Sequence, residues 1–216
     1  MKVATKRPRG PERGAFPTTA AYFAALPDGW ESFPSCLARA ALLGTLRSRG
    51  ALDALDTLPP PLQPLVGRLA TDEDWLPEVV HVGALLAVRD ARFSDSRRAD
   101  DDFLAWMAQL NRDLLAGPMI ADALGAAGPT GLVPRFPELW QIFHRGTPAT
   151  LVDCSPEHAR FAVAHPRQLF PALAIETHRR TLAMAFAKAG AVAPHVATRT
   201  DVAGDEATTM FEATWR

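Results

Sequence analysis

The chain has 216 residues, of which 48 % are hydrophobic and 22 % are charged, and its formal net charge is −1. This composition is typical of a globular protein with a buried core, and the near-zero charge gives no electrostatic reason to expect duplex DNA or an acidic membrane as a partner. No apolar run approaches the roughly 20 residues that span a bilayer, and the N-terminus lacks the apolar core of a secretory signal. We therefore expect a cytoplasmic protein in which Cys36 and Cys154 are free, buried thiols, with one disulfide between them as the disfavoured alternative.

Two segments are predicted to lie outside the packed elements. Residues 1–16 form a disordered basic tail, because Lys and Arg alternate there with Pro and Gly and little can be buried. A nucleic-acid-binding arm is the disfavoured alternative, since five scattered charges are weak grounds for it. The Pro-rich segment over 58–62 cannot be helix interior, so we expect a rigid connection or a helix start. A ligand for a partner domain is the disfavoured alternative.

Residues 17–124 are predicted as a helical subdomain. One helix covers residues 33–44, where apolar and small residues recur at helical spacing. The acidic residues 71–74 open another helix, and Trp75 is the first residue of its apolar face. The acidic run 100–102 opens the next helix for the same electrostatic reason.

The C-terminal part of the chain changes to an alternating pattern. Residues 125–135 are predicted as a hinge, because Gly and Pro recur there. Residues 136–216 are predicted as a ββαββ subdomain that forms a single compact unit with the helical subdomain. The fold we expect is α+β: a helical N-terminal half packed on a four-stranded antiparallel sheet with one long helix. The predicted elements are strands over 149–153 and 158–164, a helix over 169–188, and strands over 192–202 and 207–215.

Two clusters contain residue types that carry chemistry. Cys154, His158 and His165 are zinc-ligand types, but the odd offset between the histidines places them on opposite faces of a strand. Asp153, Ser155 and His158 are the residue types of a catalytic triad, but they share one tight turn. We therefore predict no metal site and no catalytic residue here.

The long helix and the tryptophans each allow two interpretations. A solvated helix face is predicted for Glu176, His178, Arg179 and Arg180, and Glu176 and Arg180 are spaced for an ion pair. Four tryptophans lie on predicted apolar faces, where core packing is favoured over the lining of a pocket between the halves: Trp75, Trp106, Trp140 and Trp215.

The segment from Pro137 to Trp215 resembles the C-terminal part of DUF2378, a myxobacterial paralogous family of unknown function. The points of likeness are Pro137 with Leu139-Trp140, Gly146 before the first strand, a Pro-headed helix that closes on Ala189-Gly190, and the hairpin from Thr198 to Trp215. The upstream helices fit the helical half of that family in order, but more loosely. Its members often carry a Gly-Asp-Pro-x-Cys turn before the last strand. The turn here is Gly204-Asp205-Glu206-Ala207, which lacks the cysteine.

Members of that family resemble, more distantly, the vinyl-reductase-type small-molecule-binding domain and the haem-nitric-oxide/oxygen-binding fold. Those are cytoplasmic domains with an apolar cavity between helices and an antiparallel sheet. The haem-binding relatives use a proximal histidine and a Tyr-x-Ser-x-Arg clamp for the haem propionates. The only tyrosine here is Tyr22, followed by Phe23 and Ala24, so the clamp is missing. The resemblance thus leaves the cofactor open and disfavours haem.

The resemblance implies a non-enzymatic sensory or regulatory module that binds a small apolar ligand between the helical half and the sheet. We expect a protein partner or a second copy of the chain to read out the binding event. Two alternatives stay open: a protein–protein interaction adaptor with a filled core, and an enzyme whose residues come together only in space. The predicted ligand-binding residues are Trp106, Met107, Leu110, Trp140 and Phe143, together with His81 as a polar contact.

Overall fold

The computed structural model describes residues 16–48, 59, 62–63, 74–117, 120, 124 and 128–216. Residues 1–15 of the predicted tail and most of the Pro-rich segment lie outside the described residues. Phe16, the last residue of that predicted tail, is partly buried against the core. The described helices are α1 (Pro17–Ala25), α2 (Ala41–Ser48), α3 (Glu78–Phe93), α4 (Ala99–Ala116), α5 (Gly128–Leu132), α6 (Phe136–Phe143) and α7 (Ala172–Lys188). The described strands are β1 (Leu37–Arg39), β2 (Trp75–Pro77), β3 (His144–Arg145), β4 (Ala149–Ser155), β5 (His158–Pro166), β6 (His195–Ala203) and β7 (Glu206–Thr214).

The predicted α+β fold with a four-stranded antiparallel sheet is confirmed. The strand order is β4-β5-β7-β6, and the two hairpins flank helix α7 in sequence. Strands β5 and β7 pair along their whole length, with Phe161 opposite Phe211 next to the central pair. Burial alternates along both strands, so one face of the sheet is covered and the other is open.

Helix α7 packs on the covered face of the sheet. Phe186 is fully buried, stacks on Trp215 with ring centroids 4.7 Å apart, and lies 6.3 Å from Phe161. The helix begins slightly later than predicted, because Pro171 has extended backbone at the N-cap position. This aromatic contact fixes the height of the helix above the sheet.

A second antiparallel sheet, absent from the sequence prediction, joins three short strands in the order β2-β1-β3. The helix predicted over 33–44 is therefore wrong in its first half, since β1 precedes α2. The predicted helix containing Trp75 is wrong at its start, since Trp75 lies in β2 and α3 begins after Pro77. Strands of two or three residues are too short to show alternation, so the helical spacing dominated the prediction.

Two smaller predictions also need correction. The segment predicted as a hinge is helical in its described part, where α5 is followed by a 3-10 turn at Val133–Arg135. Cys36 is buried as predicted, but Cys154 is exposed because it lies near the end of β4, beside the hairpin turn. Within the described residues, no helix is long and apolar enough to cross a membrane.

Candidate functional site

A cavity of about 140 Å³ lies between the helical half and the long helix on its sheet. Side chains of α3, α4, α6 and α7 border it, and Phe211 of β7 reaches it from the sheet. The polar side chains in its described lining are His81, Asn111, His144, Thr177, His178 and Thr181. The apolar ones are Leu42, Leu85, Met107, Leu114, Leu115, Ile120, Leu124, Leu132, Phe136, Leu139, Trp140, Phe143, Leu182, Ala185 and Phe211.

Helical periodicity explains how local sequence builds this lining. On α6, the residues Phe136, Leu139, Trp140 and Phe143 follow the i, i+3, i+4, i+7 spacing and therefore share one face. Helices α4 and α7 present similar stripes toward the same space. The cavity is thus enclosed mainly by regular elements, which hold its walls in fixed positions.

A buried carboxylate stands behind one wall of the cavity. Glu78, the first residue of α3, is 0 % exposed and accepts hydrogen bonds from His81 Nδ1 at 3.0 Å and His144 Nδ1 at 2.9 Å. Burial by itself would raise the pKa of Glu78. The imidazoles of His144 and His81, through charge and hydrogen bonding, outweigh burial and hold that pKa well below its ordinary value. Glu78 is therefore ionised and orients both imidazoles.

His178 of α7 faces the same cavity, so the prediction that it lies on a solvated helix face is wrong. Its ring centroid lies 5.1 Å from that of Trp140, 5.4 Å from that of His144 and 5.1 Å from that of Phe170. Burial, followed by the charge of His144, lowers the pKa of His178 to about 3, so its imidazole is neutral at physiological pH. We find no hydrogen bond between His178 and the rest of the described chain.

Two hydrogen-bonded groups hold the lining in place. Trp140 stacks on His144 with ring centroids 4.2 Å apart, and its indole Nε1–H donates to the Thr147 carbonyl at 2.7 Å. Asn111 Nδ2 donates to Thr181 Oγ1 at 2.6 Å and joins α4 to α7 beside the cavity. These bonds restrict the rotamers of a tryptophan and an amide that would otherwise be free to turn into the cavity.

Four of the six residues predicted to bind a ligand border this cavity: His81, Met107, Trp140 and Phe143. Trp106 and Leu110 are not in its described lining. Trp106 packs against Phe93 and Phe103 and has the guanidinium of Arg92 5.1 Å from its ring centroid. Leu110 is buried in the core.

Of the polar residues in the lining, only His81 was predicted to bind a ligand. Three further residues form the polar wall together with His81: His144 and His178 in the lining, and Glu78 behind it. The i,i+3 spacing of Glu78 and His81 was a usable signal, because it places both side chains on one helix face. No local signal marks His144, which reaches Glu78 only through strand pairing. His178, Thr181 and Ala185 have the i, i+3, i+7 spacing that places residues on one helix face. The charged residues next to His178 hid this pattern in the sequence.

The clusters considered for zinc and for a triad lie away from the cavity. His158 contacts Glu212 and Asp153, whereas His165 on the covered face contacts Thr209. The two histidines therefore lie on opposite faces of β5, as predicted. Across the described ranges, no group of three metal-ligating side chains is arranged to hold an ion.

Among solved structures, this chain shares its fold with H-NOX domains. A structure described as probing the function of heme distortion in the H-NOX family aligns with a TM-score of 0.56 and 10 % identity, over 82 % of this chain and 92 % of its own. An oxygen-binding H-NOX domain related to soluble guanylate cyclases aligns with a TM-score of 0.54 and 8 % identity, over 82 % and 92 %. A variant of the T. tengcongensis H-NOX aligns with a TM-score of 0.53 and 8 % identity, over 81 % and 95 %.

The predicted likeness to the haem-nitric-oxide/oxygen-binding fold is confirmed by these alignments. Identities of this size show a common fold and no more. No family model matches the sequence, and no curated protein matches it.

Proposed function

We propose that the protein is a non-enzymatic sensory or regulatory module that binds a small, mainly apolar molecule directly in the cavity between the helical half and the sheet. The observation that carries this proposal is the cavity itself, about 140 Å³ in volume and lined mostly by Leu, Phe, Met and Trp side chains. An apolar cavity of roughly 150 Å³ stays dry and accepts benzene or xenon. The expected ligand is therefore about the size of a single ring.

Haem does not fit this cavity. A porphyrin joins four rings and carries two propionates, whereas the volume present matches one ring. The lining within the described residues contains no Arg or Lys to pair with propionates. The sequence also lacks the Tyr-x-Ser-x-Arg clamp. We therefore propose that the chain keeps the H-NOX architecture but binds its ligand without haem.

Ligand burial would act through the elements that border the cavity. Helices α3 and α4 belong to the helical half, and α6 and α7 lie next to the sheet, so an occupant contacts both layers at once. A ligand that fits one spacing of these layers better than another shifts the population toward that spacing. The proposed readout is a protein partner or a second copy of the chain that binds one of the two arrangements.

The cavity counts against the adaptor alternative, which predicted a filled core. One observation supports the enzyme alternative: His178 in the cavity lining and Glu78 behind it both have shifted pKa values. Turnover of a bound molecule would favour the enzyme, whereas release of the unchanged molecule favours the sensor. The finer resemblance to the DUF2378 family and the cytoplasmic location stay predictions.

Benzene binding tests the proposed function. We expect benzene to shift the amide and indole resonances of cavity residues, Trp140 among them, in ¹H–¹⁵N spectra of the full chain. The variant Ala185→Leu should abolish these shifts, because the added carbons enter the cavity from α7. The matched control is Ala187→Leu, which makes the same change at an exposed position of that helix. Benzene shifts that survive in Ala185→Leu, or that are absent from the wild type, would contradict the proposal.

The purified protein offers a second test. An ultraviolet–visible spectrum should lack a Soret band, because the cavity does not fit haem. The protein mass in native spectra should exceed that in denaturing spectra only if a small molecule stays bound through purification. A stoichiometric Soret band would refute direct binding without haem.

A further inference from the structure

The hydrogen bonds of Glu78 decide which atoms the cavity wall offers to a ligand. A carboxylate only accepts hydrogen bonds, and both of its oxygens are engaged, Oε1 by His81 and Oε2 by His144. Both imidazoles must therefore carry a proton on Nδ1. In the neutral ring this leaves Nε2 as a lone-pair acceptor, and both rings border the cavity.

A second chain of hydrogen bonds fixes another acceptor. The Thr181 hydroxyl donates to the Thr177 carbonyl at 2.8 Å, so it must accept the bond from Asn111. The amide nitrogen of Asn111 is then the atom that points to Thr181, and its oxygen and its second N–H are left for other partners. His178, neutral and without a hydrogen bond in the described chain, adds one donor and one acceptor.

The cavity therefore presents more acceptors than donors. With both imidazoles neutral, three of its polar side chains offer an acceptor: His81 and His144 through Nε2, and Asn111 through its amide oxygen. A ligand that carries only acceptors would leave these atoms unpaired in a buried site, which costs affinity. A ligand with an N–H or O–H group would pair one of them.

We propose that the ligand of this cavity is a small ring or short chain that carries an N–H or O–H donor, accepted by Nε2 of His81 or His144 in its neutral, Nδ1-protonated form. This inference rests on the proposed function, because it names the polar end of the same ligand. Glu78 is the positioning residue: it does not touch the ligand but sets the tautomer of the imidazole that does.

The test compares two rings of the same size, pyrrole and furan, by NMR titration of the full chain at pH 8. Pyrrole donates an N–H, whereas furan has an oxygen in that place and only accepts. We expect pyrrole to bind at least about tenfold more tightly than furan. Pyrrole forms a buried hydrogen bond with the imidazole acceptor, whereas furan leaves that acceptor unpaired.

The variant Glu78→Gln tests the positioning role. The glutamine amide accepts from one imidazole and donates to the other, which moves the proton of the second ring to Nε2 and turns that acceptor into a donor. The preference for pyrrole should then fall to less than about threefold. Glu212→Gln is the matched control, because it makes the same change at an exposed Glu–His pair with His158, and it should keep the wild-type preference.

The outcomes separate this inference from the proposed function. Equal binding of the two rings, or tighter binding of furan, would overturn the donor inference while leaving a ligand-binding cavity. Failure of both rings and of benzene to bind would overturn the proposed function and the inference with it. The wild-type comparison decides the donor inference even if Glu78→Gln does not fold.

Discussion

Acidification should destabilise the protein through His178, a neutral histidine enclosed by the cavity wall. Its pKa is lowered to about 3 in the folded chain by burial and by the charge of His144, against an ordinary value of 6.5. Between these two values the unfolded chain takes up a proton that the folded chain does not. The free energy of unfolding must therefore fall as the pH decreases below 6.5.

The size of the effect follows from proton linkage. Well below pH 6.5, each pH unit lowers the free energy of unfolding by about 1.4 kcal/mol. Because the unfolded histidine is half protonated at pH 6.5, the loss from pH 7 to pH 5 is about 2 kcal/mol. His165, whose pKa is lowered mainly by burial, acts in the same direction. The lowered pKa of Glu78 stabilises the fold above its ordinary value of 4.5, and that contribution is lost only below this window.

Urea unfolding at pH 7, 6 and 5, followed by tryptophan fluorescence, measures this slope. The variant His178→Phe keeps an aromatic ring beside Trp140 and Phe170 but cannot be protonated, so its stability should change by about 2 kcal/mol less than wild type between pH 7 and 5. His195→Phe removes an exposed histidine and controls for the substitution itself. A wild-type protein equally stable at pH 7 and pH 5, or a variant with the wild-type slope, would refute the reasoning.

Two further substitutions test the frame around the cavity. Gly146 has φ +73°, and a Cβ added there would lie 2.2 Å from the Ser35 carbonyl oxygen, so Gly146→Ala should lower the free energy of unfolding in urea by about 3 kcal/mol. The control Gly204→Ala, with φ +64° and open space around the added Cβ, should lower it by only about 1 kcal/mol. Equal losses in the two variants would refute the clash. Phe186→Ala should lower the free energy of unfolding by about 3–5 kcal/mol, because it removes the aromatic contact under α7. The control Val192→Ala, at a residue that is 63 % exposed, should change it by no more than about 0.5 kcal/mol.

The sheet and its helix could be predicted because each strand is long enough to show its pattern. Strands β5, β6 and β7 have nine residues each, and turns with Gly or Pro separate the pairs. The apolar stripe of α6 was visible in the same way, which is why Trp140 and Phe143 were predicted at the ligand site. Periodicity carries this information whenever an element spans two or more repeats.

The position of His178 could have been predicted from helix geometry. Successive residues on a helix are about 100° apart, so Glu176 and Arg180 are close to one face while His178 is about 200° from Glu176. The structure agrees, since Arg180 Nε donates to Glu176 at 2.8 Å and His178 borders the cavity. The error came from grouping four polar residues by type instead of by angle.

The polar wall itself depends on the small sheet that the sequence did not reveal. Glu78 follows directly after β2, and His144 is the first residue of β3, so they are far apart in sequence. Strand β1 pairs with both, and Ala38 lies opposite Leu76 on one side and His144 on the other. The sheet thus holds the carboxylate and the imidazole within hydrogen-bonding distance.

Glu78 also occupies the N-terminal end of α3, where the helix dipole favours a negative charge. Its backbone N–H donates to the Cys36 carbonyl at 2.8 Å, which joins the start of the helix to the chain just before β1. One short sheet therefore sets the position of the carboxylate, and the carboxylate sets the tautomers of His81 and His144. If the ligand is recognised by these imidazoles, its selectivity is determined by strand pairing on the far side of the wall, which no single segment of the sequence encodes.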